Sequence, residues 1–207
     1  MKNKKESLDL DDESKWEIGY HYDFVVPDKT RLIELLKEKS LYVGDFVLSS
    51  GKESNFYIDV RQMILHAEGA LLIAKLIFAE LRKDVVAIGG PASGADPITG
   101  AVVLYSHIQK RPLHGFMIRK NLKTHGTKQW IEGLGNFPSG SNVCIVEDTI
   151  STGRSLLNAI QKVENAGLKV TQCIAVVDRE DGAAERIKTA GYPFKALVCS
   201  KDLTNPI

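Results

Sequence analysis

Residues 141–155, SNVCIVEDTISTGRS, constrain the fold of this chain more than any other stretch. Residues 143–146 form a short apolar run of strand character, and the acids Glu147 and Asp148 follow it directly. A loop rich in small hydroxyl residues then leads into residues 155–167, where leucine, isoleucine and valine recur at helical spacing. The stretch therefore predicts a strand that ends in two acids and turns sharply into a helix.

The hydroxyl-rich loop and the acids together suit a sugar phosphate. Thr149, Ser151 and Thr152 precede the predicted helix, whose free backbone N–H groups and positive dipole end attract a phosphate. Glu147 and Asp148 can accept hydrogen bonds from ribose hydroxyls. The alternative is an ordinary capped turn after a buried strand. Unpaired charges at the end of a buried strand are costly unless they are used, which favours a binding site.

Composition excludes several classes of protein. The 27 lysines and arginines balance 26 aspartates and glutamates, so no field for a polyanion such as nucleic acid is expected. No apolar run approaches the ~20 residues that span a bilayer, and the N-terminus is polar, so neither a membrane span nor a signal peptide is predicted. Cys144, Cys173 and Cys199 lie far apart in apolar segments, which predicts buried thiols rather than disulfides or a zinc site. We expect a cytoplasmic protein.

The chain divides into an N-terminal extension, residues 1–28, and one domain, residues 29–207. The extension mixes a basic run, an acidic run and several aromatic side chains. Near the start of the domain, residues 45–48 and 56–60 are predicted as two strands joined by the polar turn 49–55.

Strands and helices alternate through the rest of the chain. Predicted helices cover residues 67–83, 98–109, 155–167 and 183–189, and predicted strands cover 85–88, 116–118, 143–146, 170–177 and 194–198. This alternation predicts an open, mostly parallel α/β sheet. The glycine-rich turn 89–97, the basic loop 119–133 and the turn after residue 177 should then meet at the carboxyl ends of the strands, where such sheets bind ligands.

Four segments, in the same order, resemble a known family. Residues 145–153 resemble the motif that binds 5-phosphoribosyl 1-diphosphate in type I phosphoribosyltransferases. Residues 119–126, RKNLKTHG, are similar to the RKxxKxHG catalytic loop of orotate phosphoribosyltransferases. Residues 46–61 resemble the N-terminal hairpin of that family, and residues 177–182, VDREDG, its orotate-binding turn. The chain is identified as a member of the orotate phosphoribosyltransferase family over residues 30–200.

The resemblance implies the type I phosphoribosyltransferase fold, with a small N-terminal hairpin as a hood over the sheet. It implies transfer of the phosphoribosyl group of 5-phosphoribosyl 1-diphosphate (the donor) to orotate, giving orotidine 5'-monophosphate and diphosphate in pyrimidine biosynthesis. It also implies Mg²⁺, held mainly by the donor and water rather than by side chains. A homodimer is implied, in which the basic loop closes as a lid over the neighbouring subunit's site.

The resemblance also assigns roles to individual residues. The catalytic group would be Lys120, Lys123, His125 and Asp148. The donor would be bound by Arg119, Lys120, Lys123, His125, Glu147, Asp148, Thr149, Ile150, Ser151, Thr152, Gly153, Arg154 and Ser155. Orotate would be bound by Ser151, Arg179, Tyr57 and Ile58. Arg179 suits this role because a guanidinium presents a planar fork of donors to a carboxylate.

Each of these segments also has a simpler interpretation. On its own the basic loop would be a solvated turn, Arg179 a surface ion pair, and Ile58 ordinary strand packing. His125 could be only a hinge residue. The chain also departs from the family where some members have lysine at Ser49 and Gly94, and many have proline at Asn55.

Two other functions remain open from the sequence alone. One is a type I phosphoribosyltransferase with a different base, against which the basic loop and Arg179 argue. The other is a regulator that senses the donor without catalysis. Such a regulator needs a nucleic-acid-binding module or a basic face, and the short extension and balanced charge offer neither.

Overall fold

The computed structural model describes residues 28–47, 51, 53–121 and 129–204. Within them the strands are β1 (Leu41–Val47), β2 (Glu53–Ile58), β3 (Ala87–Pro91), β4 (His114–Ile118), β5 (Ile131–Glu132), β6 (Asn142–Ile150), β7 (Lys169–Asp178) and β8 (Phe194–Cys199). The helices are α1 (Asp28–Lys39), α2 (Val60–Ile64), α3 (Ala67–Glu80), α4 (Ala95–Ile108), α5 (Arg154–Asn165), α6 (Ala183–Thr189) and α7 (Ser200–Thr204). Apart from Asp28, the predicted N-terminal extension lies outside these residues, as do Ser49, Lys123 and His125.

Strands β3 to β8 form one six-stranded sheet in the order β5-β4-β3-β6-β7-β8. All neighbours pair in parallel except β4 and β5, which pair antiparallel. The mostly parallel sheet predicted from the strand–helix alternation is therefore confirmed. Its strands carry apolar side chains on both faces because helices cover both sides, as is usual for parallel sheets.

The alternation of side chains along β6 divides the core into two layers. Cys144 and Val146 pack on one face with residues of α1, α3 and α4. Val143 and Ile145 pack on the other face with residues of α5 and α6. Since successive strand residues point to opposite faces, one short apolar run anchors both helical layers.

Strands β1 and β2 form a separate antiparallel hairpin. The hairpin was predicted correctly, but β1 starts earlier than residue 45 and β2 ends at Ile58. Val60 begins the short helix α2, and the side chain of Asp59 before it accepts a hydrogen bond from the Arg61 amide in the first turn. A five-residue helix has no full turn-to-turn repeat, so hydrophobic spacing does not indicate it.

Two further boundaries differ from the prediction. Strand β6 continues through Glu147 and Asp148 to Ile150, because it keeps pairing with β7 up to Asp178. Helix α4 begins at Ala95 rather than at residue 98, which places Pro97 in its first turn. Proline fits there because the N–H it lacks would have no partner in the helix.

The cysteine prediction is correct for two of three thiols. Cys144 and Cys173 are free and buried, and burial raises the pKa of Cys173 to about 12. Cys199 is free but only half-buried, at the end of the outer strand β8. Among the helices described, none has the length and apolar character needed to cross a membrane.

Candidate active site

A cleft of about 770 Å³ opens beside the carboxyl ends of β3, β4, β6 and β7. Its walls include the end of the hairpin, the loop after β3, the start of the basic loop and the first turns of α5. The sequence-predicted site residues that line it are Tyr57, Ile58, Arg119, Lys120, Glu147, Asp148, Thr149, Ser151, Ser155 and Arg179. Four separate segments of the chain therefore meet where the parallel topology predicts a ligand.

Four other predicted residues do not line the cleft. The side chain of Ile150 is 1% exposed and lies in the core, so it can offer a ligand only its backbone. Arg154 is exposed, and Gly153 is buried with α6 behind it. The carbonyl of Thr152 accepts a hydrogen bond from Arg186 on α6. The turn between β6 and α5 is thus supported from behind by α6.

The carboxyl group of Glu147 is buried and only partly hydrogen-bonded. Its Oε2 atom is buried and has no hydrogen-bond partner among the described residues. Burial and, to a smaller extent, the nearby Asp148 carboxylate raise the pKa of Glu147 to about 8, although a hydrogen bond with Ser155 lowers it. A carboxyl group in this state has unused capacity to accept a hydrogen bond from a ligand, and a donor placed there would favour its ionised form.

Asp148 is better satisfied than Glu147. Its Oδ1 atom accepts a hydrogen bond of 2.7 Å from the Thr149 amide. Burial raises its pKa, while that amide and the charge of Arg61 pull in the opposite direction. Gly94 packs directly against the carboxylate, since a Cβ built on it would lie 2.7 Å from Cγ of Asp148. The loop after β3 thus limits where this acid can lie.

Arg179 is held by its backbone in the turn after β7. Its N–H donates to the Ile150 carbonyl at 2.8 Å, which ties the turn to the end of β6. The Glu180 amide donates to Oδ1 of Asp178 at 2.8 Å and fixes the same turn. Nε of Arg179 is buried without a partner among the described residues. Arg179 lines the cleft on this fixed turn.

The cleft also contains residues that the sequence did not indicate. Asp59 and Arg61 enter from the start of α2, joined by a 2.9 Å ion pair. Asn158 and Lys162 enter from α5. The two α5 residues follow Ser155 at helical spacing, so they share its face of the helix. That spacing was the available signal, but it marks a motif only once the first turn is known to line a site.

No cluster of three or more histidine, cysteine, aspartate or glutamate residues that could hold a metal ion occurs in the described part of the chain. The carboxylates that line the cleft are those of Asp59, which pairs with Arg61, and of Glu147 and Asp148. Carboxylate oxygens suit Mg²⁺, and a site with few protein ligands suits an ion that keeps several waters. The residues present therefore fit Mg²⁺ that is held mainly by a phosphorylated ligand.

Residues 61–194 match the family model of the phosphoribosyl transferase domain. The chain is 41% identical over 175 residues to orotate phosphoribosyltransferase of Nostoc sp., which covers 84% of each chain. It is 40% identical to orotate phosphoribosyltransferase of Mycobacterium avium over 86% of this chain and 97% of the relative. The chain belongs to the orotate phosphoribosyltransferase family. Members of that family are pentosyltransferases, so the chain is classed as an enzyme.

Solved structures of orotate phosphoribosyltransferases agree in fold. The enzyme of Mycobacterium tuberculosis H37Rv in complex with Fe(III) dicitrate is 37% identical, has a TM-score of 0.74 and covers 86% of this chain. A structure of the same enzyme with 5-phospho-alpha-D-ribosyl 1-diphosphate has a TM-score of 0.70 at 35% identity. Adenine phosphoribosyl transferase of Trypanosoma brucei, at 18% identity and a TM-score of 0.66, shares the fold. The type I phosphoribosyltransferase fold is thus confirmed.

Proposed function

We propose that this cleft transfers the phosphoribosyl group of 5-phosphoribosyl 1-diphosphate to orotate, giving orotidine 5'-monophosphate and diphosphate. The observation that carries the proposal is the meeting of Glu147 and Asp148 with Arg119, Lys120 and Arg179 in one cleft. The acids suit the ribose, and two separate cationic groups suit the two ends of the reaction, the leaving diphosphate and the anionic base.

The 5-phosphate would bind at the turn between β6 and α5. Thr149, Ser151 and Ser155 line the cleft there, and α5 directs its N-terminal amides to the same place. Amides at a helix start and hydroxyl groups together hold a phosphate dianion well. The hydrogen bond from Arg186 to the Thr152 carbonyl supports this turn.

The ribose 2- and 3-hydroxyls would donate to Glu147 and Asp148. Displacement at C1 with inversion breaks the bond to diphosphate and forms the bond to a ring nitrogen of orotate, which loses its proton. Positive charge develops on the ribose in the transition state of this step. Two carboxylates beneath the ring favour that charge in a cleft from which water is partly excluded. The hydroxyl donors would in turn favour the ionised form of Glu147, whose burial otherwise favours the neutral acid.

The leaving diphosphate would lie near Arg119 and Lys120. Lys123 and His125 of the same basic loop are proposed as further donors; both lie outside the described residues. Mg²⁺, when bound, supplies positive charge to the diphosphate oxygens. The side chains contribute by holding those oxygens as negative charge grows on them, so we propose Lys120, Lys123, His125 and Asp148 as the catalytic group.

Orotate would lie between Arg179 and the hairpin. The guanidinium would hold the carboxylate or carbonyl edge of the base, and the Ser151 hydroxyl would donate beside it. Tyr57 is 37% exposed, and its ring centroid lies 5.7 Å from that of Phe46, which suits a flat partner. Ile58 is only 6% exposed, so most of its surface packs in the core and only an edge can meet the base.

We also propose a cytoplasmic homodimer with the basic loop shared between subunits. Leu104 and Ile108 on α4 are 65% and 63% exposed, and Met117 on β4 is 42% exposed. Leu104 and Ile108 are four residues apart and therefore share one face of the helix, and exposed apolar side chains suit a protein interface. The buried free thiols Cys144 and Cys173 suit a reducing compartment.

A steady-state assay with the donor and orotate, uracil, adenine or hypoxanthine tests the proposal. We expect turnover with orotate alone, because of the four bases only orotate carries a carboxylate for Arg179. Turnover of a purine or of uracil would identify a different transferase on the same fold. Binding of the donor without turnover of any base would instead indicate a donor-sensing protein.

A further inference from the structure

Lys162 is a cation of the cleft wall that belongs to none of the four family-like segments. It lies two turns into α5, on the same face as Ser155 and Asn158. Its Nζ atom lies 3.9 Å from the ring centroid of Trp130 and donates to the Arg119 carbonyl at 3.2 Å. One ammonium group thus contacts two residues that are eleven positions apart in the chain.

Arg119 and Trp130 are the residues at which the basic loop leaves and rejoins the sheet. The Arg119 amide donates to the Trp130 carbonyl at 2.8 Å, so the two residues are already joined through the backbone. The Arg119 guanidinium pairs with Glu132 on β5 at 2.9 Å. Lys162 adds a link from this pair to α5, the helix whose N-terminus is proposed to hold the 5-phosphate.

Both contacts of Lys162 depend on its charge. A hydrogen bond from an ammonium group to a carbonyl is stronger than a neutral one, and an ammonium group over an indole ring is attracted by the negative face of the ring. The ammonium also satisfies the Arg119 carbonyl, an acceptor at the point where the main chain turns away from β4. Without the charge, the contacts of Arg119 that remain among the described residues are those with Trp130 and with Glu132 of the edge strand β5.

We propose that Lys162 is a positioning residue, which fixes Arg119 and Trp130 against α5 so that the two phosphate-binding parts of the cleft keep a constant separation. The inference rests on the proposed function, in which Arg119 binds the diphosphate and the start of α5 binds the 5-phosphate. A donor with both groups spans the two parts, so its affinity depends on their separation.

The test uses Trp130 as its own reporter. In a Trp16→Phe background Trp130 is the only tryptophan, because the chain has two. We compare the unchanged residue 162 with Lys162→Met, which keeps an unbranched side chain without charge, and Lys162→Arg, which keeps the charge and can stack on the ring. Lys188→Met on α6 is the matched control, since Lys188 is an exposed helical lysine outside the cleft.

In the free enzyme Lys162→Met should shift the Trp130 emission maximum, because a charge near the indole ring is lost. The Kd for the donor, measured by calorimetric titration, should rise about tenfold in this variant, the effect of losing about 1.4 kcal/mol. Lys162→Arg should restore most of both properties, and Lys188→Met should change neither. Thermal melting establishes that each variant is folded.

Unchanged Trp130 emission in Lys162→Met would overturn the inference, because the ammonium would then not rest on the ring. A shifted emission with an unchanged donor Kd would overturn it as well, because the contact would not position the site. A raised Kd without an emission change would make Lys162 a direct donor ligand instead. Failure of the proposed function is visible separately, as absence of orotate turnover in the unchanged enzyme.

Discussion

Gly94→Ala offers a sharp test of the acid pair, because it adds one methyl group directly beside Asp148. A Cβ at Gly94 would lie 2.7 Å from Cγ and Oδ2 and 2.8 Å from Oδ1 of the carboxylate. The backbone at Gly94 has φ −65° and ψ −40°, which alanine adopts without strain. The change therefore acts on the carboxylate and leaves the loop conformation acceptable.

The size of the effect follows from these distances. Ordinary contact begins at 3.4 Å, so the carboxylate must retreat by about 0.7 Å from the new methyl group. That movement lengthens or breaks the 2.7 Å bond from the Thr149 amide. A hydrogen bond to a charged group is worth about 1.5–3 kcal/mol, and a misplacement of about 1 Å at a reacting site costs up to about 100-fold. We expect kcat/KM for the donor to fall about 10- to 100-fold.

Gly100→Ala is the matched control in α4, the helix that follows Gly94. Gly100 is an exposed residue in α4, and a Cβ built there meets nothing within 4 Å. This variant should keep full activity and gain about 0.5–1 kcal/mol of stability, since alanine loses less backbone freedom than glycine in a helix. Both variants are assayed with orotate and melted by circular dichroism.

Full activity of a folded Gly94→Ala enzyme would refute the reasoning. It would mean that Asp148 either moves without loss or does not hold the ribose. Equal losses of activity in Gly94→Ala and Gly100→Ala would instead show that any methyl group added in this region disturbs the enzyme, so the contact with Asp148 would not explain the loss.

Two further predictions concern the acids and the assembly. The pKa of Glu147 is raised to about 8, and its ionised form would accept a ribose hydroxyl. We therefore expect kcat/KM for the donor to rise with pH through about 8. The Glu147→Gln variant should show no such rise. The folded state retains a proton that the unfolded chain releases near 4.5, so the free energy of unfolding should fall as pH rises from 4.5 to about 8, and fall less in Glu147→Gln. A flat difference between the two melting profiles would contradict the assignment. If the basic loop is shared, inactive Lys123→Ala and Asp148→Asn proteins should regain activity on mixing, because a mixed dimer contains one intact site; no recovery after verified subunit exchange would place the whole site in one chain.

The sequence predicted the sheet well because its strands are short apolar runs between glycine and charged residues. The predicted strand ends were wrong where hydrogen bonds between neighbouring strands continue beyond the apolar residues. Glu147 and Asp148 mark a change in polarity, but hydrogen bonds to β7 carry the strand on to Ile150. The start of α4 was placed too late because proline is taken as a break, although its first turn accepts one.

The candidate site could likewise be predicted only in part, where its residues lie in local motifs. Side chains in contiguous motifs, such as Glu147, Ser151 and Arg179, were predicted because their chemistry and spacing are local. Arg61 and Lys162 were missed because their relation to the cleft depends on packing between elements distant in the chain. The spacing of Lys162 from Ser155 indicates a shared helix face but not a site, and Arg61 lies in a helix too short to show such a spacing.

The unsatisfied oxygen of Glu147 also bears on which sugars the enzyme can use. If Glu147 accepts a ribose hydroxyl, as proposed, a donor without that hydroxyl leaves the buried acid unpaired in a site shielded from water and binds less well. Sites built to bond a hydroxyl can reject the analogue without it by about 10⁴-fold. We therefore expect strong preference for the ribosyl donor over its 2-deoxy or 3-deoxy counterpart, whichever hydroxyl Glu147 holds. The same acid would thus help to keep deoxyribose out of the nucleotide product.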